Sequence, residues 1–76
     1  MINSEKLAYN TKETIEILGI NRNLLDCYRK RGLIRALKVG RYFIYPRSEL
    51  ENFIDRNIGN EITKDGLIVS GGAYYD

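Results

Sequence analysis

Residues 10–32 read NTKETIEILGINRNLLDCYRKRG, and the order of caps and apolar positions in this stretch decides the fold. Asn10 is a favoured helix N-cap, and Glu13, three positions on, completes a capping-box pattern. The spacing predicts a helix over 11–18, with Ile15 and Leu18 on one face, Thr11 and Thr14 beside them and Ile17 at the edge. Gly19 fits the left-handed position that ends a helix. Ile20 stands alone as an apolar plug in the turn. Asn21 then caps a second helix over about 22–31, whose apolar stripe is Leu24, Leu25 and Tyr28, and Gly32 ends it as Gly19 ends the first.

Beyond Gly32 the period changes to two. Leu37 and Val39 alternate with Lys38, and Phe43 and Tyr45 alternate with Tyr42 and Ile44, with Gly40 between the two runs; this is a hairpin. A two-residue loop at Gly40-Arg41 pairs Val39 with Tyr42. A three-residue loop, Val39-Gly40-Arg41, pairs Lys38 with Tyr42, buries Leu37, Val39, Phe43 and Tyr45 together and turns Lys38, Tyr42 and Ile44 outward. The second register is expected, because it buries Phe43 and exposes Lys38. Pro46 ends the second strand and starts a third helix over 47–57. Glu49 and Glu51 lie in its first turn, where the helix dipole favours them, and Leu50, Phe53, Ile54 and Ile58 form its stripe. The expected core is Ile15, Leu18, Ile20, Leu25, Tyr28, Leu37, Val39, Phe43, Leu50, Phe53 and Ile54.

Two short helices joined by a glycine-containing turn, then a two-stranded wing and a third helix, make a winged helix-turn-helix. The fold class is α+β, mainly α, with a domain over 1–58. Residues 59–76 form a C-terminal tail, flexible or ordered by a partner. Within it, Asp65-Gly66 between Glu61-Ile62-Thr63 and Leu67-Ile68-Val69 has the pattern of a small hairpin, while Gly71-Gly72, Tyr74, Tyr75 and Asp76 close the chain.

Composition narrows the function. There is no histidine and one cysteine, so the commonest general base and a thiolate zinc site are both missing. Glu13 and Glu16 read as solvated helix residues rather than a catalytic pair. Neither an enzyme nor any cofactor or metal is expected. Cys27 has no resolving cysteine for a redox switch. No apolar run reaches membrane-spanning length and the opening residues lack a signal-peptide core, so a cytoplasmic protein is expected, with no membrane partner. The net charge of +2 hides a division: residues 20–47 carry eight basic side chains against Asp26 alone, and acidic residues outnumber basic ones on both flanks. A basic middle between acidic ends suits a polyanion.

The stretch from Tyr9 to Ile54 resembles the excisionase-type helix-turn-helix family, winged-helix proteins related to MerR-type regulators. The resemblance is carried by Thr11-Lys12-Glu13, Ile17-Leu18-Gly19-Ile20-Asn21-Arg22, Arg29-Lys30-Arg31-Gly32-Leu33-Ile34, Lys38-Val39-Gly40-Arg41, Tyr45-Pro46-Arg47 and Leu50-Glu51-Asn52-Phe53-Ile54. Tyr42 and Ile44 stand where many such proteins carry basic residues, and Asn21 replaces the more usual serine. The resemblance implies that the second helix enters the major groove of double-stranded DNA and that the wing reaches the backbone or minor groove. It also implies a role as an excisionase or recombination directionality factor, or as a small transcriptional regulator of a phage or mobile element.

On that basis Arg22 and Asn23 open the recognition helix, Arg22 facing guanine and Asn23 adenine, or both serving phosphate contact and capping. Asp26 either accepts from cytosine or pairs with Lys30. Cys27 shares its exposed side. Arg29, Lys30 and Arg31, with Arg35, Lys38, Arg41 and Tyr42 on the flank and wing, are the further DNA candidates. Further copies on adjacent sites and a recombinase are the candidate partners. A protein-interaction adaptor with a basic docking face is the remaining alternative.

Overall fold

The computed structural model describes residues 6–70; Gly71-Gly72, Tyr74, Tyr75 and Asp76 lie outside the described residues. The elements are β1 (Ala8–Asn10), α1 (Thr11–Leu18), α2 (Arg22–Lys30), β2 (Leu37–Val39), β3 (Tyr42–Pro46), α3 (Arg47–Asn57), β4 (Asn60–Ile62) and β5 (Ile68–Ser70). One antiparallel sheet has the order β1-β3-β2, and β4 and β5 form a second. The helix-turn-helix, the wing and the third helix are all present, and the architecture is a small α+β winged helix-turn-helix.

The helix ends follow local chemistry. Asn10 Oδ1 accepts from the Glu13 amide at 2.7 Å, and Glu13 Oε1 accepts from the Asn10 amide at 3.0 Å, a complete capping box. Lys6 pairs with the same Glu13 carboxylate, and this bond lowers the Glu13 pKa from its ordinary value. Asn21 Oδ1 accepts from the Leu24 amide at 2.8 Å and starts α2. Gly19 takes φ 69° and its amide donates to Ile15 O. At the end of α2 the Gly32 amide donates to Arg29 O and the Leu33 amide to Tyr28 O, with Gly32 at φ 76°. This double closure satisfies two carbonyls left open at the helix end. The start of α3 is different: Pro46 makes no side-chain cap bond, and the Arg47 amide donates to Leu7 O at 2.8 Å.

The register of the wing corrects the sequence reading. Val39 pairs with Tyr42, Lys38 with Phe43 and Leu37 with Ile44, so the loop is the two-residue Gly40-Arg41. Gly40 has φ 60° and, among the described residues, none other than glycine has positive φ, as in a turn whose first central position alone is left-handed. A one-residue change of register moves a whole strand's side chains to the other face. Phe43 and Tyr45 remain on the core side as expected, but Leu37 and Val39 turn outward, 57% and 52% exposed, beside Tyr42 at 73%. Lys38 lies on the Phe43 side.

The interior is filled differently from the expectation. Leu25, Tyr28, Leu50 and Phe53 are buried as read, and the Tyr28 and Phe53 rings lie 5.6 Å apart. Ile15, Leu18, Ile20 and Phe43 are partly buried against them. Ile34, in the loop before β2, occupies the interior in place of Leu37 and Val39, and Tyr9 of β1, an unanticipated strand, pairs with Tyr45 of β3; all three are buried. Thr14 is also buried, and its hydroxyl donates to Asn10 O at 2.8 Å. Ile54 is exposed and Ile58 is 69% exposed, whereas Ile62 of β4 packs against the core.

This packing separates two substitutions. Ile34→Ala should cost about 2–5 kcal/mol, as for a truncated buried aliphatic residue, and Leu37→Ala no more than about 0.5 kcal/mol. Urea denaturation of both variants checks the order, and a larger loss at Leu37 would restore the three-residue loop.

Candidate nucleic-acid interface

At about 100° per residue, α2 presents three faces. Leu24, Leu25 and Tyr28 face the core, the last two of them buried. Arg22, Asp26 and Arg29 face a groove whose other walls are α1, through Lys12, Ile15 and Glu16, and the wing, through Val39, Arg41, Tyr42, Phe43 and Ile44. Asn23, Cys27, Lys30 and Arg31 face a second groove, closed on its far side by Lys64, Asp65 and Leu67 of the β4–β5 turn. Opposite the core, the crest of the helix carries Arg22, Asn23, Asp26 and Lys30. The candidate recognition residues are thus brought to one exposed ridge with a trough on either side.

Hydrogen bonds and ion pairs divide the candidate cations into two groups. Arg29 donates to Asp26 Oδ1 at 3.2 Å and its guanidinium lies 3.9 Å over the Phe43 ring. Burial alone lowers its pKa; the neighbouring Tyr45 hydroxyl and the Asp26 carboxylate outweigh that and hold it raised. Tyr45 Oη and Arg29 Nε are both buried without a hydrogen-bond partner of good geometry. Asp26 therefore pairs with Arg29, three residues on, and not with Lys30. Arg35 makes a two-point contact with Glu49 of α3, 3.0 Å from Nε and 2.6 Å from Nη2. The wing cation Lys38 lies 5.9 Å from the Phe43 ring centroid.

The second group has neither an ion pair nor an aromatic ring beneath it among the described residues: Lys12, Arg22, Lys30, Arg31 and Arg41, all exposed. Arg22 and Arg41 lie on opposite walls of the wing groove. Asn23 is exposed on the crest, Cys27 is half-buried and Tyr42 is exposed at the wing. Lys12 falls outside the sequence-derived site. It stands at a helix start, and nothing in periodicity separated it from a solvated surface charge. Among the described residues no group of His, Cys, Asp and Glu is placed to hold a metal ion, and no helix is long and apolar enough to cross a membrane.

A family model described as a helix-turn-helix domain matches residues 8–58, from the first strand to the end of the third helix. No curated protein and no solved structure gives a significant match.

The Arg35–Glu49 pair predicts an acid limb of stability. Arg35 holds the Glu49 carboxyl below its ordinary 4.5, and the carboxylate side chain is only 12% exposed although Arg35 is 80% exposed. A depressed folded pKa means that the contribution is complete above the unfolded value and is lost as pH falls through the folded one. Denaturation midpoints measured from about pH 6 down to about pH 3 should therefore fall more steeply for the native chain than for Arg35→Ala. Parallel curves would remove the pair from the stability account.

Proposed function

The chain belongs to the excisionase-type helix-turn-helix family, and from that premise we propose that it is an accessory DNA-binding protein of a mobile element, an excisionase or recombination directionality factor that bends DNA and helps a recombinase assemble. DNA binding follows from the family. The architectural role rests chiefly on one observation, the outer face of the wing. Leu37, Val39 and Tyr42 are each more than half exposed on one sheet face, and the unpaired Arg41 stands at the hairpin tip beside Tyr42. An apolar wedge next to a cation is the equipment with which minor-groove proteins unstack a base step and kink the duplex.

In this reading the crest of α2 lies in the major groove. Arg22 has no competing partner and takes two hydrogen bonds on guanine; Asn23 does the same on adenine. Lys30 from the helix and Lys38 and Arg41 from the wing contact phosphates. Arg29 and Arg35, committed to Asp26 and Glu49, hold the wing and α3 in position rather than touching DNA. Further copies fill adjacent sites, and the bent array presents the DNA to the recombinase.

The experiment uses duplexes selected from a random pool, labelled at both ends. Arg22→Ala and Asn23→Ala should reduce the preference for selected over random duplexes. Arg41→Ala should weaken both alike and lower the log–log salt slope by about one unit. Tyr42→Ala should keep most of the affinity while reducing the end-to-end approach seen by energy transfer. Binding that leaves the duplex straight would remove the architectural role and leave a promoter-occluding regulator.

A further inference from the structure

The second groove of α2 belongs to no part of the wing. Its far wall is the turn between β4 and β5, and that turn is built and seated. The Thr63 amide donates to Leu67 O at 2.8 Å, the Gly66 amide to Thr63 O at 2.9 Å, and the Leu67 amide to Thr63 Oγ1 at 3.1 Å. Gly66 is buried while Lys64, Asp65 and Leu67 around it are exposed. Its backbone lies so close to α2 that a Cβ there would stand 3.0 Å from both Cys27 Sγ and Arg31 Cγ, and its φ of 80° is one that side chains rarely adopt. A glycine is thus required at the point of contact. The seat fixes Lys64 at the rim of a groove that also holds Lys30 and Arg31, and none of the three has an ion pair among the described residues.

We propose that the β4–β5 turn is a second DNA-contacting arm, in which Lys64 joins Lys30 and Arg31 to bind the phosphate backbone on the side of α2 away from the wing. The dimensions require contact there. A helix with its side chains is about 10–12 Å across and the major groove is about 12 Å wide. A helix that fills the groove brings whatever flanks it on either side against the two bordering backbones. The wing flanks α2 on one side and the β4–β5 turn on the other. Asp65, exposed on the same rim, opposes the phosphates and limits the affinity this arm adds. The inference rests on the DNA-binding reading above.

The test measures binding of the full chain to a selected duplex by fluorescence anisotropy between about 50 and about 200 mM salt. Lys64→Ala should weaken binding several-fold at the low-salt end and lower the salt slope by about one unit, with an unchanged melting temperature. Asp65→Asn should tighten binding several-fold. Gly66→Val, which drives the turn off α2, should itself weaken binding, and Lys64→Ala added to it should have little further effect. A native slope and affinity for Lys64→Ala would overturn the arm and leave DNA binding by α2 and the wing intact. Tighter binding by Gly66→Val would also overturn it, because the turn would then mask the recognition helix. Absence of salt-dependent binding by the native chain would instead remove the proposed function itself.

Discussion

The Arg29 guanidinium, lying on the Phe43 ring and tied to Asp26, is the joint on which the binding surface depends. It ties α2 to the wing at the surface, above the shared core, and the helix and the strand each place one side of it. Asp26 and Arg29 share a face because they are three residues apart on a helix. Phe43 reaches the same point because it shares the core side of β3 with Tyr45. A cation on a desolvated aromatic face is worth about 2 kcal/mol, which is small beside the core. Its importance is geometric: it holds the wing against α2 beside the groove that Arg22, Asp26 and Arg29 line.

That joint commits one cation to an intramolecular role. Six other basic residues, Lys12, Arg22, Lys30, Arg31, Arg41 and Lys64, are left without intramolecular partners among the described residues, on and around the crest of α2, at the wing tip and on the β4–β5 turn. Surface ion pairs are worth little to stability, so leaving these cations unpaired sacrifices little. The chain thus separates cations that shape the protein from cations that remain open to a polyanion. Net charge alone conceals the division, because Arg29 and Arg35 count the same as Arg22 and Arg41.

Much of this was legible in the sequence because it is encoded locally. Asn10, Glu13, Gly19, Asn21 and Gly32 act on backbone groups within four residues of themselves, and the helix boundaries they imply are observed to within one residue. The wing loop was not legible, because Gly40-Arg41 accommodates two registers and the choice depends on what lies beneath the sheet. Ile34 and Tyr9 fill that space, and both come from segments with no period of their own. The seat of Gly66 was equally hidden. An Asp-Gly pair announces a turn, but only the position of Cys27 and Arg31 in space tells what the turn rests against. The same holds for Arg35, whose partner Glu49 is fourteen residues away.

The uncapped start of α3 has a kinetic consequence. Helices α1 and α2 carry their own start signals in Asn10 and Asn21, so their first turns need no distant help. Helix α3 begins on Pro46 without a side-chain cap, and its first amide is satisfied by Leu7, forty residues earlier in the chain. Closing a loop of that length costs entropy before any contact rewards it. The helix-turn-helix is therefore set to form before α3 docks, and φ-values higher in α1 and α2 than in α3 would record that order. The element that presents itself to DNA would then be the folding nucleus, and α3 and the N-terminal strand the clasp that closes over it.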